Sequence, residues 1–288
     1  MQPFDYVKPM SLAEASQLLA RDDDARIMAG ATDLLIRMER GFMHPKLVVD
    51  VKGLPGFRDL LIVRNGWLRI GAAVTMNEAA AHPEVRAHYP LLAESCNTVA
   101  SYQLRNRATL GGNICNASPA ADSAPALICY GTEALIYGPT GQRRVPIEHF
   151  FQGPGKTTLQ SGELLMGFEL PPPEPGAAGR FLKLGRTSVG DISVMNVAVL
   201  GWPSRPMPSG SAWRVVLGSV APTPLRAPET ERLLSQDTSP EGVEAAALAA
   251  AATARPIDDI RASAAYRTDM VRVFTRRAVE AVLAAISR

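Results

Sequence analysis

Two stretches of small and polar residues, 29–35 and 105–122, hold the side chains of this sequence that could bind an extended ligand. The first reads Ala-Gly-Ala-Thr-Asp-Leu-Leu and lies between an apolar segment and the start of a predicted helix. Backbone N–H groups at a helix N-terminus bind anions, because they lack an intrahelical partner and the helix dipole favours negative charge there. We interpret 29–35 as a candidate anion-binding loop; an ordinary βα turn with a Thr or Asp cap is the alternative.

The second stretch combines adjacent glycines with short polar side chains. Gly111 and Gly112 allow the backbone to approach another molecule closely, and Thr109 and Asn113 supply polar groups that lose little entropy on ordering. Asp122, at the end of the stretch, could accept hydrogen bonds from a sugar diol. A tight turn followed by a polar loop accounts for the same residues, and the stretch taken alone favours that simpler interpretation.

Composition excludes several classes of function. The 288 residues are 47% hydrophobic and 20% charged, with a formal net charge of +2. So small a net charge and so few aromatic residues argue against nucleic acid as a partner. The N-terminus has no basic segment followed by an apolar one, and no apolar run approaches the roughly 20 residues that cross a bilayer. We therefore expect a cytoplasmic protein with no membrane insertion.

Neither a metal site nor a catalytic residue is expected in this chain. Its three cysteines lack C-x-x-C spacing and its four histidines are scattered, so we predict neither a zinc site nor a four-thiolate cluster. There is no G-x-S-x-G elbow and no nucleophile beside a base. Any redox chemistry must then come from a cofactor that the protein positions. Two anion-binding loops suit an extended cofactor with a pyrophosphate in its middle.

The elements that must position these stretches begin with a β-α-β-α-β alternation over the first fifty residues, which predicts a small parallel sheet. A β-rich region follows. Its predicted elements are a hairpin turning at Asn65-Gly66, a helix that starts at Thr75, helices over about 90–99 and 123–130, and a hairpin over 133–145.

The run Pro-Pro-Pro-Glu-Pro-Gly at 171–176 is the clearest linker, because such a run is stiff and cannot continue a helix. Strands near 179–185, 193–202 and 213–217, together with three helices, follow it and predict an α+β C-terminal domain. The last helix, about 265–287, carries apolar residues at four-residue spacing. We expect this stripe to face the core: Tyr266, Met270, Phe274, Ala278 and Val282.

Four motifs give the sequence a resemblance to a known family. They are 28–35; 108–114 with 117–119 and Asp122; Arg-Phe-Leu-Lys at 180–183; and Pro-Ile-Asp-Asp-Ile-Arg-Ala-Ser-Ala-Ala-Tyr-Arg at 256–267. In this order they resemble the FAD-binding medium subunit of the molybdenum hydroxylases, the xanthine dehydrogenase and carbon monoxide dehydrogenase type, over essentially the whole chain. The last motif reads as capping and packing of the final helix.

The resemblance implies an α+β fold in two domains. The first is a two-lobed FAD-binding domain of the vanillyl-alcohol-oxidase (PCMH) type, expected over residues 1–175 with lobes of about 1–55 and 56–175. The second, expected over 176–288, is a C-terminal domain of antiparallel sheet plus helices. Members of this family bind FAD noncovalently, so no histidine need attach to the flavin.

The resemblance also implies which residues hold FAD. Residues 29–35 would wrap the pyrophosphate, Asp122 would hold the adenosine ribose, and a loop that ends at Ile192 would approach the flavin ring. Lys183 would lie near one end of the cofactor, although a surface lysine at a strand edge is the alternative. The complete expected set is Ala29, Gly30, Ala31, Thr32, Asp33, Leu34, Leu35, Thr109, Gly111, Gly112, Asn113, Asp122, Leu165, Lys183 and Ile192.

The implied function is electron relay within a larger enzyme. A small partner subunit would carry two [2Fe–2S] clusters. A large partner subunit would oxidise a small organic substrate (an N-heterocycle, an aldehyde or CO) at a molybdenum cofactor. FAD in this chain would take electrons from the clusters and pass them to an external acceptor, in a dimer of heterotrimers. The cysteine-rich insert that holds an extra four-iron cluster in some relatives is absent here.

Two alternatives remain open for the same residues. A standalone oxidase or dehydrogenase of the same flavin superfamily would need its own substrate pocket, with a base or a tyrosine near the flavin. The sequence shows no such group, and 288 residues leave little room for a substrate domain. A nucleotide-binding module would bind its ligand without redox chemistry.

Overall fold

The first lobe is a small parallel sheet with two helices. In the computed structural model, which describes residues 1–63 and 66–286, it contains β1 (Asp5–Val7), α1 (Leu12–Arg21), β2 (Arg26–Met28), α2 (Leu34–Glu39) and β3 (Leu47–Asp50). The strands pair in the order β1-β3-β2 and are parallel, which confirms the predicted alternation. Ser11 Oγ caps α1 by accepting the Glu14 N–H at 3.2 Å, and Ala15 and Leu19 are buried.

The second lobe adds an antiparallel sheet and several short helices. Its elements are β4 (Leu60–Ile62), β5 (Leu68–Gly71), α3 (Met76–Ala81), α4 (Pro83–His88), α5 (Pro90–Asn97), α6 (Tyr102–Arg105), α7 (Leu110–Cys115), α8 (Ser123–Cys129), β6 (Glu133–Gly138), β7 (Gly141–Pro146), a 3-10 turn (Ile147–His149), β8 (Phe151–Gly153), β9 (Lys156–Thr157) and β10 (Leu164–Leu170). The main sheet has the order β4-β5-β10-β6-β7, and β8 pairs with β9. A capping box between Thr75 and Glu78 starts α3 at the predicted residue.

Helices α4, α6 and α7 occupy segments in which no helix is predicted, and each is too short to show a helical period. Within the second candidate stretch, whose plain interpretation is a turn and a loop, residues 110–115 fold as α7, and 116–122 form a turn and loop. Glycine costs about 1 kcal/mol relative to alanine inside a helix, so packing rather than propensity forms α7. The hairpin strands β4 and β5 pair as predicted, whereas Asn65, in the predicted turn, lies outside the described residues.

The C-terminal domain packs one antiparallel sheet between its helices and the two N-terminal lobes. Its elements are β11 (Ala178–Leu184), β12 (Met195–Pro203), β13 (Ser211–Gly218), β14 (Leu225–Arg226), α9 (Pro228–Gln236), α10 (Pro240–Thr253) and α11 (Ala264–Ile286), with sheet order β11-β12-β13-β14. Along β12, Val197 and Val199 join the core under the helices, while Ala198 and Leu200 join the core of the lobes. Because both faces are covered, β12 is a nearly continuous apolar run.

The last helix buries most of the predicted stripe, together with residues that the stripe does not include. A residue at every fourth position drifts by about 40° per step around a helix of 3.6 residues per turn. Tyr266, the first residue of the predicted stripe, is 46% exposed. The buried positions are Arg267, Val271, Thr275, Ala278, Val279 and Val282. The predicted core-facing stripe is therefore wrong at Tyr266, whereas Met270 and Phe274 are partly buried against the core and Ala278 and Val282 are fully buried. The predicted end of the helix at residue 287 lies outside the described residues.

The structure confirms the α+β class, with one hydrophobic core in the lobes and a second under the C-terminal helices. The lobes place β2 and α2 opposite α7, so the two candidate stretches meet. Within the described part of the chain, none of the helices combines the length and the apolarity that would let it cross a membrane.

Candidate functional site

A cleft of about 430 Å³ lies between the two lobes and brings both candidate stretches together. The first lobe lines it with Arg26, Ile27, Ala29, Gly30, Ala31, Thr32, Asp33, Leu34, Arg37, Met43 and Val51. The second lobe lines it with Phe57, Ala72, Val99, Ala100, Leu104, Ala108, Thr109, Gly111, Gly112, Asn113, Cys115, Asn116, Leu159 and Leu165. Most of the predicted cofactor-binding residues are in these two groups; Leu35, Asp122, Lys183 and Ile192 are not.

The first stretch supplies unpaired backbone donors at the start of a helix. Among the described residues, none accepts a hydrogen bond from the backbone N–H groups of residues 30–34. Asp33, the N-cap of α2, makes no side-chain capping bond. Ala31 has φ +63°, in the left-handed region that favours glycine, and there the chain turns from β2 into α2. Free amide donors in a concave site favour an anionic ligand.

Gly30 is required by the close approach of the two lobes. A Cβ built on Gly30 would lie 2.8 Å from the carbonyl carbon of Arg107 and 3.1 Å from the Cα of Ala108, with the Arg107 carbonyl oxygen nearer still. These are backbone atoms of the second lobe, so they cannot rotate away as a side chain could. The missing side chain at Gly30 therefore sets how closely the lobes meet beside the cleft.

The second stretch contributes shape rather than free amides. Thr109 Oγ1 accepts the Gly112 N–H at 3.0 Å and caps α7. The N–H groups of Leu110 and Gly111 donate to the carbonyls of Val74 and Ala72 at 2.9 and 3.0 Å. A Cβ on Gly111 would lie 2.6 Å from that of Ala72, so glycine allows α7 to pack there. The small residues of α7 thus form one wall of the cleft.

Two arginines and several apolar side chains, which sequence reasoning missed, complete the lining. Arg26 precedes the first stretch, and its guanidinium donates to the carbonyls of Asp23 and Ala25 at 2.8 Å. Arg37 lies one helical turn after Leu34 on α2, and this spacing was the signal that could have found it. The cleft combines positive charge and amide donors with apolar walls, which suits an anionic ligand that also carries rings.

Comparison with protein-family models gives two matches along the chain. Residues 2–173 match the FAD binding domain in molybdopterin dehydrogenase. Residues 180–282 match the CO dehydrogenase flavoprotein C-terminal domain. The chain belongs to the FAD-binding subunits of the molybdenum hydroxylases. The family predicted from the four sequence motifs is confirmed, and FAD is the cofactor of this flavoprotein subunit.

Relatives match the flavoprotein subunit over nearly its whole length. The xanthine dehydrogenase FAD-binding subunit of Escherichia coli O157:H7 is 31% identical over 284 residues, 97% of this chain and 96% of the relative. The carbon monoxide dehydrogenase medium chain of Hydrogenophaga pseudoflava is 34% identical over 283 residues, 98% and 97% of the two chains. A solved structure of that organism's carbon monoxide dehydrogenase, lacking the Mo-pyranopterin moiety of its cofactor, matches with TM-score 0.93 and 33% identity, covering 99% and 98%.

The donor set of the flavoprotein subunit fits FAD. The unpaired N–H groups of residues 30–34 and the cations of Arg26 and Arg37 suit a central pyrophosphate. Apolar side chains such as Phe57 and Leu165 supply surfaces for flat rings. Cys115 also lines the cleft, but burial raises the pKa of its thiol to about 12, so it is a neutral packing group.

Asp122 and Lys183 meet each other outside the cleft lining. Lys183 Nζ lies 2.7 Å from Asp122 Oδ2, and it also donates to the Thr98 carbonyl at 3.0 Å. Ser193 Oγ and Asn196 Nδ2 donate to Asp122 Oδ1, the latter at 3.0 Å. Burial raises the pKa of Asp122, and the Lys183 ammonium opposes that shift. This cluster joins the FAD-binding domain to the C-terminal sheet.

The remaining two predicted residues are exposed and lie outside the cleft lining. Leu35 is 39% exposed on α2, and Ile192 is 53% exposed at the end of a surface loop. Asp191 shapes that loop by accepting the backbone N–H groups of Thr187 and Ile192 at 3.2 and 2.9 Å. The structure therefore brings Leu165 and most predicted residues of the two small-residue stretches to the cleft, and it places Leu35, Asp122, Lys183 and Ile192 outside the cleft lining.

Proposed function

We propose that this chain is the FAD-carrying medium subunit of a heterotrimeric molybdenum hydroxylase. It takes electrons from [2Fe–2S] clusters of a small partner subunit and passes them through FAD to an external acceptor. The observation that carries this proposal is the interlobe cleft, where the unpaired amide donors of residues 30–34 lie opposite the glycine-rich wall of α7. When bound there, FAD supplies the redox chemistry, because its flavin exchanges electrons singly and in pairs.

The chain's own residues bind and orient the cofactor in this proposal. The amides of residues 30–34 donate to the pyrophosphate, and Arg26 and Arg37 add positive charge beside it. The Thr109 hydroxyl can donate to the cofactor, because its oxygen already accepts the Gly112 N–H. Leu165 and the other apolar side chains exclude water from the rings.

The role proposed for Asp122 is limited by its existing bonds. A carboxylate has about four lone-pair positions. In Asp122, three of them already accept hydrogen bonds, which are donated by Lys183, Ser193 and Asn196. A ribose hydroxyl therefore has the remaining position on Oδ2, beside Lys183. In this arrangement Lys183 neutralises Asp122 and orients it, and Leu35 and Ile192 contribute at the edges of the cofactor.

The partners are proposed from the family. The relatives are named as an FAD-binding subunit and as a medium chain, and such names imply further chains. We propose a small iron–sulfur subunit and a large subunit with a molybdenum cofactor, assembled as a dimer of heterotrimers in the cytoplasm. The large subunit would act on an N-heterocycle, an aldehyde or CO. The proposed domain boundaries remain 1–175 and 176–288.

The decisive experiment is purification of the native protein and of the separately expressed chain. We expect a yellow complex with flavin and iron–sulfur absorbance and two co-purifying chains, in which substrate reduces the flavin. The isolated chain, loaded with FAD, is expected to bind the cofactor without oxidising substrates. A colourless monomer that takes up no FAD would refute the proposal, and substrate oxidation by the isolated chain would favour a standalone flavoenzyme.

A further inference from the structure

The motif at 256–267 contains a buried arginine that the proposed function does not use. The side chain of Arg267, near the start of α11, is 3% exposed. Its Nη1 donates to the carbonyl oxygens of Val194 at 2.8 Å and Ser219 at 3.1 Å, and its Nη2 donates to Asp259. A guanidinium suits this position, because its rigid fork of donors satisfies several acceptors at once. Arg267 thus ties α11 to the ends of β12 and β13.

The start of β12 holds Asp122 in place. Val194 immediately precedes β12, and its N–H donates to the Leu184 carbonyl at 2.8 Å. Ser193, its neighbour, donates from Oγ to Asp122 Oδ1. The bond from Arg267 to the Val194 carbonyl fixes the peptide between Val194 and Met195, one residue after Ser193, and so restrains the hydroxyl that holds Asp122.

The end of β13 holds the backbone of residues 117–122, the segment that contains Asp122. Ser219 immediately follows β13, and its N–H donates to the Pro119 carbonyl at 2.8 Å. Ser219 has φ +63°, a left-handed conformation that a serine rarely adopts without outside support. The bond from Arg267 to the Ser219 carbonyl supplies that support. Residues 117–122 are consequently held at two points by residues that Arg267 anchors.

Asp259 keeps the guanidinium of Arg267 in place. Its carboxylate accepts the backbone N–H groups of Arg261 at 2.8 Å and Ala262 at 3.3 Å, and it pairs with the Arg261 guanidinium. Although desolvation opposes ionisation, these backbone bonds and Arg267 lower the pKa of Asp259 to about 2. The ion pair between Asp259 and Arg267 is therefore formed at neutral pH.

We propose that Arg267 is a positioning residue for the cofactor, which it never touches. By fixing the ends of β12 and β13, its guanidinium holds residues 117–122 in the arrangement that binds FAD. This inference rests on the proposed function, because it takes that segment as part of the FAD site. It gives the motif at 256–267 a role in cofactor binding, beyond the capping and packing expected from its sequence.

Arg267→Lys tests the proposal in the full-length chain. Lysine keeps a positive charge opposite Asp259, and so preserves the fold, but it cannot reproduce the fork to both carbonyls. We expect the dissociation constant of FAD to rise at least tenfold and the flavin absorbance and midpoint potential to shift. Hydrogen exchange at residues 117–122 should become faster. Arg272→Lys is the matched control, because Arg272 lies on the same helix, half-exposed and paired with Glu244.

A merely structural role for Arg267 would give a different result. The folded variant would then bind FAD with wild-type affinity and potential, and that result would overturn the proposal. If Arg267→Lys does not fold, Asp259→Asn is the second variant. The proposal then requires that the dissociation constant of FAD rise in this variant too, by a smaller factor. Should the wild-type chain itself fail to bind FAD, the proposed function fails; hydrogen exchange at residues 117–122 then still decides whether Arg267 holds that segment.

Discussion

Replacing Gly30 by alanine should separate the two lobes and weaken FAD binding. The new methyl group would stand 2.8 Å from the Arg107 carbonyl carbon, whereas carbon atoms in contact prefer about 3.5–4.0 Å. The lobes must therefore move apart by at least about 0.7–1.2 Å at this point, because the Arg107 carbonyl oxygen is nearer still. Because the opposing atoms are backbone, no rotamer change can relieve the overlap.

The cost follows from that displacement. Overpacking of a close contact costs about 1–3 kcal/mol, and the backbone contact at Gly30 places this substitution in that range. If FAD requires the closed arrangement of the lobes, the same free energy appears in binding and raises the dissociation constant roughly 5- to 150-fold. The melting temperature of the apoprotein should fall as well, by about 2–4 °C per kcal/mol.

Gly53→Ala is the matched control for Gly30→Ala. Gly53 is exposed in the same lobe, and a Cβ built on it meets no atom within 4 Å. Its substitution should change stability by less than about 0.5 kcal/mol. Both variants are measured by FAD titration and by thermal unfolding of the apoprotein. If Gly30→Ala binds FAD and unfolds as Gly53→Ala does, the close lobe contact has no role in forming the site.

Three further outcomes follow from the structure. Ala31→Gly should stabilise the protein by up to about 1 kcal/mol in urea unfolding, because relief of the left-handed strain exceeds the added chain entropy. Asp259→Asn should lower stability at neutral pH. The lowered pKa of Asp259 in the folded state means that this deficit persists above pH 3.8 and shrinks as the pH falls towards about 2. Native Cys96 and Cys129 should resist a thiol reagent at pH 8, because both side chains are buried and burial raises the pKa of each thiol.

Each of these outcomes has a contrary result that would count against its reasoning. A loss of stability in Ala31→Gly would mean that the left-handed conformation of Ala31, with φ +63°, costs little free energy in the native protein. A deficit in Asp259→Asn that stays constant from pH 7 to about 2 would show that folding does not lower the pKa of Asp259. Rapid labelling of Cys96 or Cys129 in the folded protein, before a denaturant is added, would show that these thiols are open to solvent.

Much of the fold was predictable, because local patterns and packing agree there. The β-α-β-α-β alternation gives the first lobe, and the capping box at Thr75 and Glu78 marks the start of α3. The chain departs from its local patterns where tertiary contacts decide. α7 contains two adjacent glycines and is helical because Gly111 packs on Ala72 and Thr109 caps it. The spacing of residues along the sequence does not predict the packing of Gly111 on Ala72 or the cap at Thr109.

The site was predictable in its backbone features and less so in its charges. Short residues at 29–34 indicate an anion loop without any knowledge of the partner lobe, and the structure places them on the cleft. In the sequence, Arg26 and Arg37 look like ordinary surface cations. Only the folded arrangement of the two lobes shows that they line the cleft. Arg267 is harder still, because an arginine within an apolar-looking helix start is usually taken for an exposed residue. The two carbonyl groups to which it donates are 48 and 73 residues away along the chain.

The two candidate stretches, similar in composition, therefore contribute different physical properties to one cleft. Residues 30–34 keep their amides free, because α2 begins there without a side-chain cap. In α7 the amides of Leu110, Gly111 and Gly112 are already bonded, so its glycines serve close packing. Gly111→Ala should thus act mainly on the stability of the apoprotein, whereas Gly30→Ala in the first stretch acts on ligand affinity as well. Two segments rich in small residues that look alike in sequence are therefore distinguished by whether their backbone N–H groups already have an acceptor within the protein.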